Sequence, residues 1–169
     1  GFYVQGAYGV VNVKAPVNLA ESTGGTTIGF YSDGKAKVNF DSGSELNIGN
    51  GAVGLYSLDS EKFNDTFNIV SGKALKVTLG ENSTFGFVSG NTTSPSLKKY
   101  LKDGSADRID ITSFGKGATI FFAANNGKAI LDGDYTVSNG QKDSTSVLSA
   151  NNGSTVGIKS GVKLITNTQ

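Results

Sequence analysis

Cysteine, histidine, methionine and tryptophan are all absent from this chain of 169 residues. The absence of cysteine excludes a fold that is held together by disulfides. Without histidine or cysteine the chain also lacks the usual zinc ligands, the thiol nucleophile and the commonest general base. The sequence therefore predicts a protein that is not an enzyme, with no catalytic residues, no bound metal and no cofactor. The missing initiator methionine and the opening "GFYVQGAYGV" suggest a piece of a longer chain.

A strong charge of one sign and long apolar runs are also missing. Fifteen basic and fourteen acidic residues leave a net charge of +1, which gives no electrostatic footprint for binding nucleic acid. No apolar run approaches the length that a helix needs to cross a bilayer. What the chain does contain is 24 glycines and abundant serine, threonine and asparagine. This composition suits short strands separated by many turns and does not suit a helical bundle.

The chain repeats itself at intervals typical of a solenoid. The segments "IGFYS", "VGLYS", "FGFVS", "IFFAA" and "VLSAN" begin at residues 28, 53, 85, 120 and 147, at intervals of 25, 32, 35 and 27 residues. The turns before three of them are also alike, and they read "IGNGA" from Ile48, "LGENST" from Leu79 and "FGKGAT" from Phe114. Stacked solenoid units have repeats of this length.

Alternating segments within each unit predict strands. Both "AKVNF" and "LKVTL" place apolar side chains at every second position, which is the period of a strand with one buried face. Several strands per unit, without a helix between them, favour an all-β fold: a parallel β-helix whose coils stack about 4.8 Å apart. We expect residues 1–169 to form one segment of such a solenoid.

Alignment of the repeated segments predicts two columns of core side chains. The first column contains Ile28, Val53, Phe85, Ile120 and Val147. The second contains Phe30, Leu55, Phe87 and Phe122. We interpret both as stacked core, since an aromatic site for a cofactor would need polar partners that these columns do not offer. In this register Val53 faces the core and Gly29 faces the solvent.

Residues 91–108 interrupt the repeat. They include "SPSLKKYLKDGS", which predicts one short helix over residues 97–102, and a smaller bulge, "LDSEKFNDTF", begins at Leu58. Because departures from a repeat can create a distinct surface, the insertion is the candidate partner-binding site. Its basic and aromatic side chains suit an anionic glycan or an acidic protein surface. They are Lys98, Lys99, Tyr100, Lys102 and Arg108. The alternative is a solvated insertion whose leucines cover the coil.

Two glycine motifs resemble nucleotide sites but lack the context of such sites. "GNGAVG", from Gly49 to Gly54, matches G-x-G-x-x-G, yet no helical apolar stripe follows it to place a helix N-terminus at a pyrophosphate. Three Gly-Lys pairs, starting at residues 34, 72 and 127, are followed by alanine, whereas a phosphate loop needs serine or threonine there. We interpret both motifs as turns and expect no nucleotide binding.

Acidic pairs keep one enzymatic alternative open. A β-helix enzyme that cleaves polysaccharides, as a lyase or a hydrolase, requires carboxylates stacked on adjacent coils of one face. Asp132 and Asp134 form one acidic pair, Asp107 and Asp110 form another in a different unit, and Asp41 is the only obvious third candidate. We favour solvated turn residues over catalytic ones, because the pairs come from different units.

Three phrases of the sequence resemble the passenger repeats of type V autotransporter adhesins, in particular the very large fusobacterial ones. They are "IGNGAVGLYS", "LGENSTFGFVSG" and "ITSFGKGATIFFAANNGKAILDGDYTVSNG". The resemblance implies a right-handed parallel β-helix that a C-terminal outer-membrane barrel of the same parent chain carries to the surface of a Gram-negative bacterium. It also implies a virulence role in cell adhesion, through a protein or a glycan on host or bacterial cells. The insertion, and the loss of the tyrosine after Phe87, depart from the family pattern.

We therefore expect a secreted adhesin passenger segment that acts as a structural stalk and displays a binding surface. The cysteine-free composition agrees, since a passenger that crosses the outer membrane unfolded should avoid periplasmic disulfides. A polysaccharide-cleaving β-helix enzyme is the alternative, and it would need carboxylates and a base from adjacent coils in one groove. A scaffold segment with no binding role of its own is a third interpretation.

Overall fold

The computed structural model of the chain describes residues 1–6, 8–58, 63–70, 74–90, 108–131, 135–140 and 146–168. Within these ranges short strands follow one another along the chain, with one helical turn, α1 (Phe63–Thr66). The strands are β1 (Phe2–Val4), β2 (Val10–Val13), β3 (Pro16–Leu19), β4 (Ile28–Ser32), β5 (Lys37–Phe40), β6 (Glu45–Ile48), β7 (Val53–Ser57), β8 (Phe67–Ile69), β9 (Ala74–Leu79), β10 (Thr84–Ser89), β11 (Arg108–Phe114), β12 (Thr119–Ala124), β13 (Lys128–Leu131), β14 (Tyr135–Gly140), β15 (Ser146–Ala150), β16 (Thr155–Ile158) and β17 (Leu164–Thr168). No helix in the described ranges is long and apolar enough to span a membrane.

The strands stack in parallel to form a β-solenoid. One sheet, side A, contains β1, β4, β7, β10, β12 and β15 in that order, so each strand pairs with the equivalent strand of the next coil. Side B contains β2, β5 and β8, and side C contains β3, β6, β9 and β11. Two further parallel pairs, β13 with β16 and β14 with β17, follow them. The predicted all-β parallel solenoid is confirmed.

A tight turn from side C to side A brings the backbones of successive coils into close contact. Gly49 donates its N–H to the carbonyl of Leu19 at 3.0 Å, and Gly80 donates to that of Ile48 at 2.8 Å. A Cβ atom on Gly80 would lie 2.8 Å from the carbonyl carbon of Gly49, inside van der Waals contact. Gly115 repeats the arrangement one coil later, against Gly80 and Glu81. Glycine is required at this corner because the backbone of the adjacent coil occupies the space of a side chain.

These turns set the register of side A, which differs from the sequence alignment. Val53 pairs with Thr84 rather than with Phe85, and Thr84 pairs with Thr119. Strands β7, β10 and β12 each start four residues after a corner glycine, which is Gly49, Gly80 or Gly115. This constant turn length fixes which residues of adjacent strands pair. The predicted columns are therefore wrong by one residue: the first from Phe85 onward and the second from Phe87 onward.

The residues that side A contributes to the core differ in size from one coil to the next. Phe85 and Ile120 are fully buried at the position that Gly29 and Gly54 occupy in earlier coils. A Cβ atom on Gly54 would lie 2.6 Å from Cδ1 of Ile48, because that side C side chain already fills the space. Gly29 is buried in the same way, so the prediction that it faces the solvent is wrong.

Val53 lies at the margin of the core. It is 7% exposed, and its neighbours in the column, Ile28 and Thr84, are both half-buried. The central cluster of buried side chains includes Phe30 and Leu55, both 0% exposed, but does not include Val53. The prediction of buried core side chains is confirmed for Phe30, Val53, Leu55, Phe85 and Ile120.

The helical turn α1 falls in the smaller bulge, between β7 and β8. It inserts Phe63 into the core, where the ring centroid lies 5.0 Å from that of Phe67 and 6.0 Å from that of Phe121. Gly86 leaves room for this ring, since a Cβ there would lie 3.0 Å from Cζ of Phe63. The helix predicted over residues 97–102 lies outside the described residues, as does all of the insertion before Arg108.

Candidate functional site

Side A carries a row of five aromatic rings, one from each of five successive strands. The strand register places them in one column. Their ring centroids are 5.1, 5.2, 4.7 and 5.3 Å apart in order along the solenoid. The rings belong to Tyr3, Tyr31, Tyr56, Phe87 and Phe122. We call these five residues the aromatic ladder.

The spacing of the coils explains the stacking. Parallel strands in register repeat at about 4.8 Å, so equivalent side chains on adjacent strands stand directly above one another. The planes of Tyr56 and Phe87 differ by 8°, and those of Phe87 and Phe122 by 21°. Tyr3 is 64% exposed at one end, and the other four side chains are half-buried.

The aromatic ladder corrects two sequence interpretations. Phe87 and Phe122, which were predicted as core, are only half-buried and belong to the outer column. The sequence alignment suggested that a tyrosine is missing after Phe87. In the structure Phe87 itself occupies the tyrosine position, because it pairs with Tyr56. The signal that identifies this column is the likeness of the three turns before β7, β10 and β12. Aligning by those turns, rather than by the aromatic residues, gives the observed register.

The side of the solenoid that carries the ladder has no charge on its strands. None of the six strands of side A contains a lysine, arginine, aspartate or glutamate. Three residues before the ladder on each strand is a column of mostly β-branched and hydroxyl side chains, which comprises Ile28, Val53, Thr84, Thr119 and Ser146. Sides B and C differ, since their strands include charged residues such as Lys37, Glu45 and Lys76.

Two ionisable groups at the ladder have shifted pKa values. Burial, followed by the charges of Tyr56, Tyr3 and Asp33, raises the pKa of Tyr31 above its usual 10.0. The carboxylate of Asp33 accepts the backbone N–H of Lys35 at 2.9 Å and that of Gly6 at 3.2 Å. The bond from Lys35 is the main reason that the pKa of Asp33 is lowered. This carboxylate is therefore engaged in joining two coils.

Sides B and C carry amide ladders in place of aromatic ones. On side B, Nδ2 of Asn39 donates to Oδ1 of Asn12 at 3.0 Å. On side C, Nδ2 of Asn47 donates to Oδ1 of Asn18 at 2.8 Å, and the hydroxyl of Thr78 donates to Oδ1 of Asn47 at 2.8 Å. These groups satisfy one another along the axis, so their evident role is to hold adjacent coils together.

Most of the predicted partner-binding residues lie outside the described part of the chain: Lys98, Lys99, Tyr100 and Lys102. Arg108 is the first residue of β11 and pairs with Ala74 on side C. The insertion therefore returns to the solenoid on side C, whereas it leaves after β10 on side A. The binding role of these residues stays a prediction.

The acidic alternative also falls largely outside the described residues, which do not include Asp107, Asp132 or Asp134. Asp110 is in β11, where its backbone pairs with Lys76. The carboxylate of Asp41 lies 4.0 Å from the ammonium of Lys14, at the surface. Across the described ranges, no group of three or more acidic residues could hold a metal ion.

Where the structure describes them, the glycine motifs are turns, as the sequence predicted, and the Gly-Lys pair that starts at residue 72 lies outside the described residues. Gly49 and Gly51 lie in the corner before β7, and Gly51 has a φ of +67°, a conformation that favours glycine. A strand follows, not a helix, so no helix N-terminus is available for a phosphate. In the first Gly-Lys pair, Lys35 is exposed and Ala36 is buried, as a turn that opens a strand requires.

No protein-family model, curated protein or solved structure matches the chain.

Proposed function

We propose that the chain is a segment of a cell-surface adhesin passenger, a β-solenoid stalk that presents a binding surface to host or bacterial cells. In this proposal the parent protein is exported across the outer membrane of a Gram-negative bacterium by a barrel of its own. The resemblance of the turn and strand phrases to autotransporter passenger repeats supports this assignment.

One observation of the structure carries the proposal: side A continues without interruption through six strands. A stack of parallel coils is a quasi-one-dimensional structure whose length grows with the number of repeats. Such a structure suits a stalk that extends from a cell. The amide ladders at Asn39 and Asn47 add contacts between coils that stiffen it.

Display of a binding surface is the second part of the proposal. Solenoids use extended surfaces that run along the stack to bind partners. The aromatic ladder is such a surface, since five rings are aligned along the axis on a side whose strands have no charge. Stacked rings would also hold adjacent coils together in a scaffold-only segment, so binding by the partly exposed rings is the property that distinguishes the two interpretations.

Binding of the purified segment to cells tests the proposal. We expect saturable binding of the fluorescently labelled folded segment to epithelial cells or to partner bacteria, and no binding of the heat-denatured segment. The absence of saturable binding to every cell type in the panel would contradict the adhesin assignment.

The enzymatic alternative has its own test. Incubation with neutral polysaccharides and with a polyuronate should leave their chain lengths unchanged if the segment is an adhesin. Cleavage of the polyuronate, abolished by Asp132→Asn or Asp134→Asn, would replace the adhesin proposal with that of a polysaccharide lyase or hydrolase.

A further inference from the structure

We propose that the aromatic ladder binds one extended chain of a neutral polysaccharide, lying along the solenoid axis with about one sugar per coil. The inference rests on the proposed function, because it names the class of partner and the surface that an adhesin of this form would use. It places the site on the strands of side A, and not among the basic residues that the sequence suggested.

The stacked rings determine which parts of a ligand they can contact. Tyr56 has a ring on each side, with centroids at 5.2 Å and 4.7 Å, so both of its faces are covered. What remains for a ligand is the positively polarised edge of each ring and the hydroxyl groups of the tyrosines. The tyrosine hydroxyl groups hydrogen-bond to the hydroxyl groups of a sugar, whereas a cation would need an open aromatic face.

The axial repeat of the ladder favours a polysaccharide over a peptide. Successive rings are 4.7–5.3 Å apart. An extended peptide lying along the axis would present side chains to the same face only every 6.5–7 Å or so, out of step with the rings. The pyranose units of an extended β-linked glycan repeat at a distance close to the coil spacing, so each sugar would meet an equivalent ring.

The absence of basic residues on the strands decides which polysaccharide fits. The six strands of side A contain no lysine or arginine that could pair with a uronate, a sulfate or a phosphate. A nucleic acid is disfavoured for the same reason, since its affinity depends on phosphate contacts and its bases need open aromatic faces. Thr84 and Thr119 offer hydroxyl groups instead, on the same strands as Phe87 and Phe122 and three residues before them.

The size of the surface argues against a second protein as the occupant. One tyrosine that is 64% exposed and four half-buried rings expose on the order of a few hundred Å². A standard protein interface buries about 800 Å² on each partner. A single glycan chain needs only a narrow strip, and repeated weak contacts along it would add through multivalency.

Binding of a linear neutral β-linked glucan, offered as soluble oligosaccharides of increasing length, tests the inference by titration calorimetry. Affinity should rise with length until the oligosaccharide spans the five rings and then level off. Tyr56→Ser, in the middle of the ladder, should lower the affinity for the longest glucan at least about tenfold. Tyr8→Ser is the matched control, because Tyr8 is 98% exposed and is not part of the ladder. It should leave the affinity unchanged.

A second variant keeps the test valid if Tyr56→Ser does not fold. Tyr3 contributes the terminal ring and is 64% exposed, so Tyr3→Ser should retain the melting temperature and still lower the affinity for the longest glucan. Either no glucan binding or equal binding by folded ladder variants and wild type would overturn the inference. Tighter binding of a polyuronate than of the glucan would also overturn it, in favour of a basic site.

The two proposals fail in distinguishable ways. If ladder variants bind cells as well as the wild type does, the polysaccharide inference is wrong and the adhesin proposal stands. If the wild type binds the glucan through the ladder but binds no cells, the adhesin proposal is wrong and the polysaccharide site stands.

Discussion

Replacement of the corner glycine Gly80 by alanine should be among the most damaging small substitutions in this solenoid. The added Cβ would lie 2.7 Å from Oδ1 of Asn50 and 2.8 Å from both the backbone nitrogen of Asn50 and the carbonyl carbon of Gly49. Two of these three atoms are backbone, so a change of rotamer cannot relieve the clash. The coils would have to separate locally by several tenths of an ångström.

The cost can be worked from this geometry. Overpacking of a well-packed site costs roughly 1–3 kcal/mol. Separation of the coils would also weaken the hydrogen bond from the N–H of Gly80 to the carbonyl of Ile48, which is 2.8 Å long and contributes about 1 kcal/mol. We therefore expect Gly80→Ala to lower the free energy of unfolding by about 2–4 kcal/mol.

Urea unfolding followed by far-ultraviolet circular dichroism measures this change. Gly25→Ala is the matched control, since a Cβ there would meet nothing within 4 Å and the backbone needs no positive φ. The control should change stability by less than about 1 kcal/mol, in either direction. If Gly80→Ala proves as mild as Gly25→Ala, close approach of the coils does not explain the glycines at this corner.

Four further outcomes are expected. Leu55→Ala should cost about 2–5 kcal/mol in the same unfolding assay, because the side chain is fully buried, and a cost below about 1 kcal/mol would contradict its central position in the core. Wild-type stability should fall as pH rises past 10 towards the raised pKa of Tyr31, since the unfolded chain loses this proton first, and Tyr31→Phe should reduce that alkaline loss in urea titrations at several pH values. Asn47→Ala removes two hydrogen bonds between coils and should cost about 1–2 kcal/mol; no measurable loss would mean that the amide ladder on side C adds nothing. The far-ultraviolet spectrum should be dominated by β-structure, and a third or more of helix would be incompatible with the solenoid.

The register of side A shows where local sequence similarity can mislead. "IGFYS" and "FGFVS" look alike because both contain Gly-Phe, and aligning them puts Phe87 in the core. In the folded chain Phe87 pairs with Tyr56 instead, because the corner between Gly80 and Thr84 has the same length as the one before β7. Backbone contact between coils is the stronger constraint, since the corner glycines fix the register and a shift of one residue would turn every side chain of the strand to its other face.

The sequence by itself determined the class of fold, the parallel stacking and the identity of the corner residues. Period-two alternation and a repeat of 25 to 35 residues can be read from the sequence without knowing how neighbouring coils align. The sequence also placed Phe30 and Leu55 in the core, but the tertiary structure alone decided the faces of Gly29, Phe87 and Phe122. Whether Gly29 and Phe87 lie inside or outside depends on the filling of the core by side C and on the fixed turn length. Only that three-dimensional register converts five scattered aromatic residues into a continuous ladder along the solenoid.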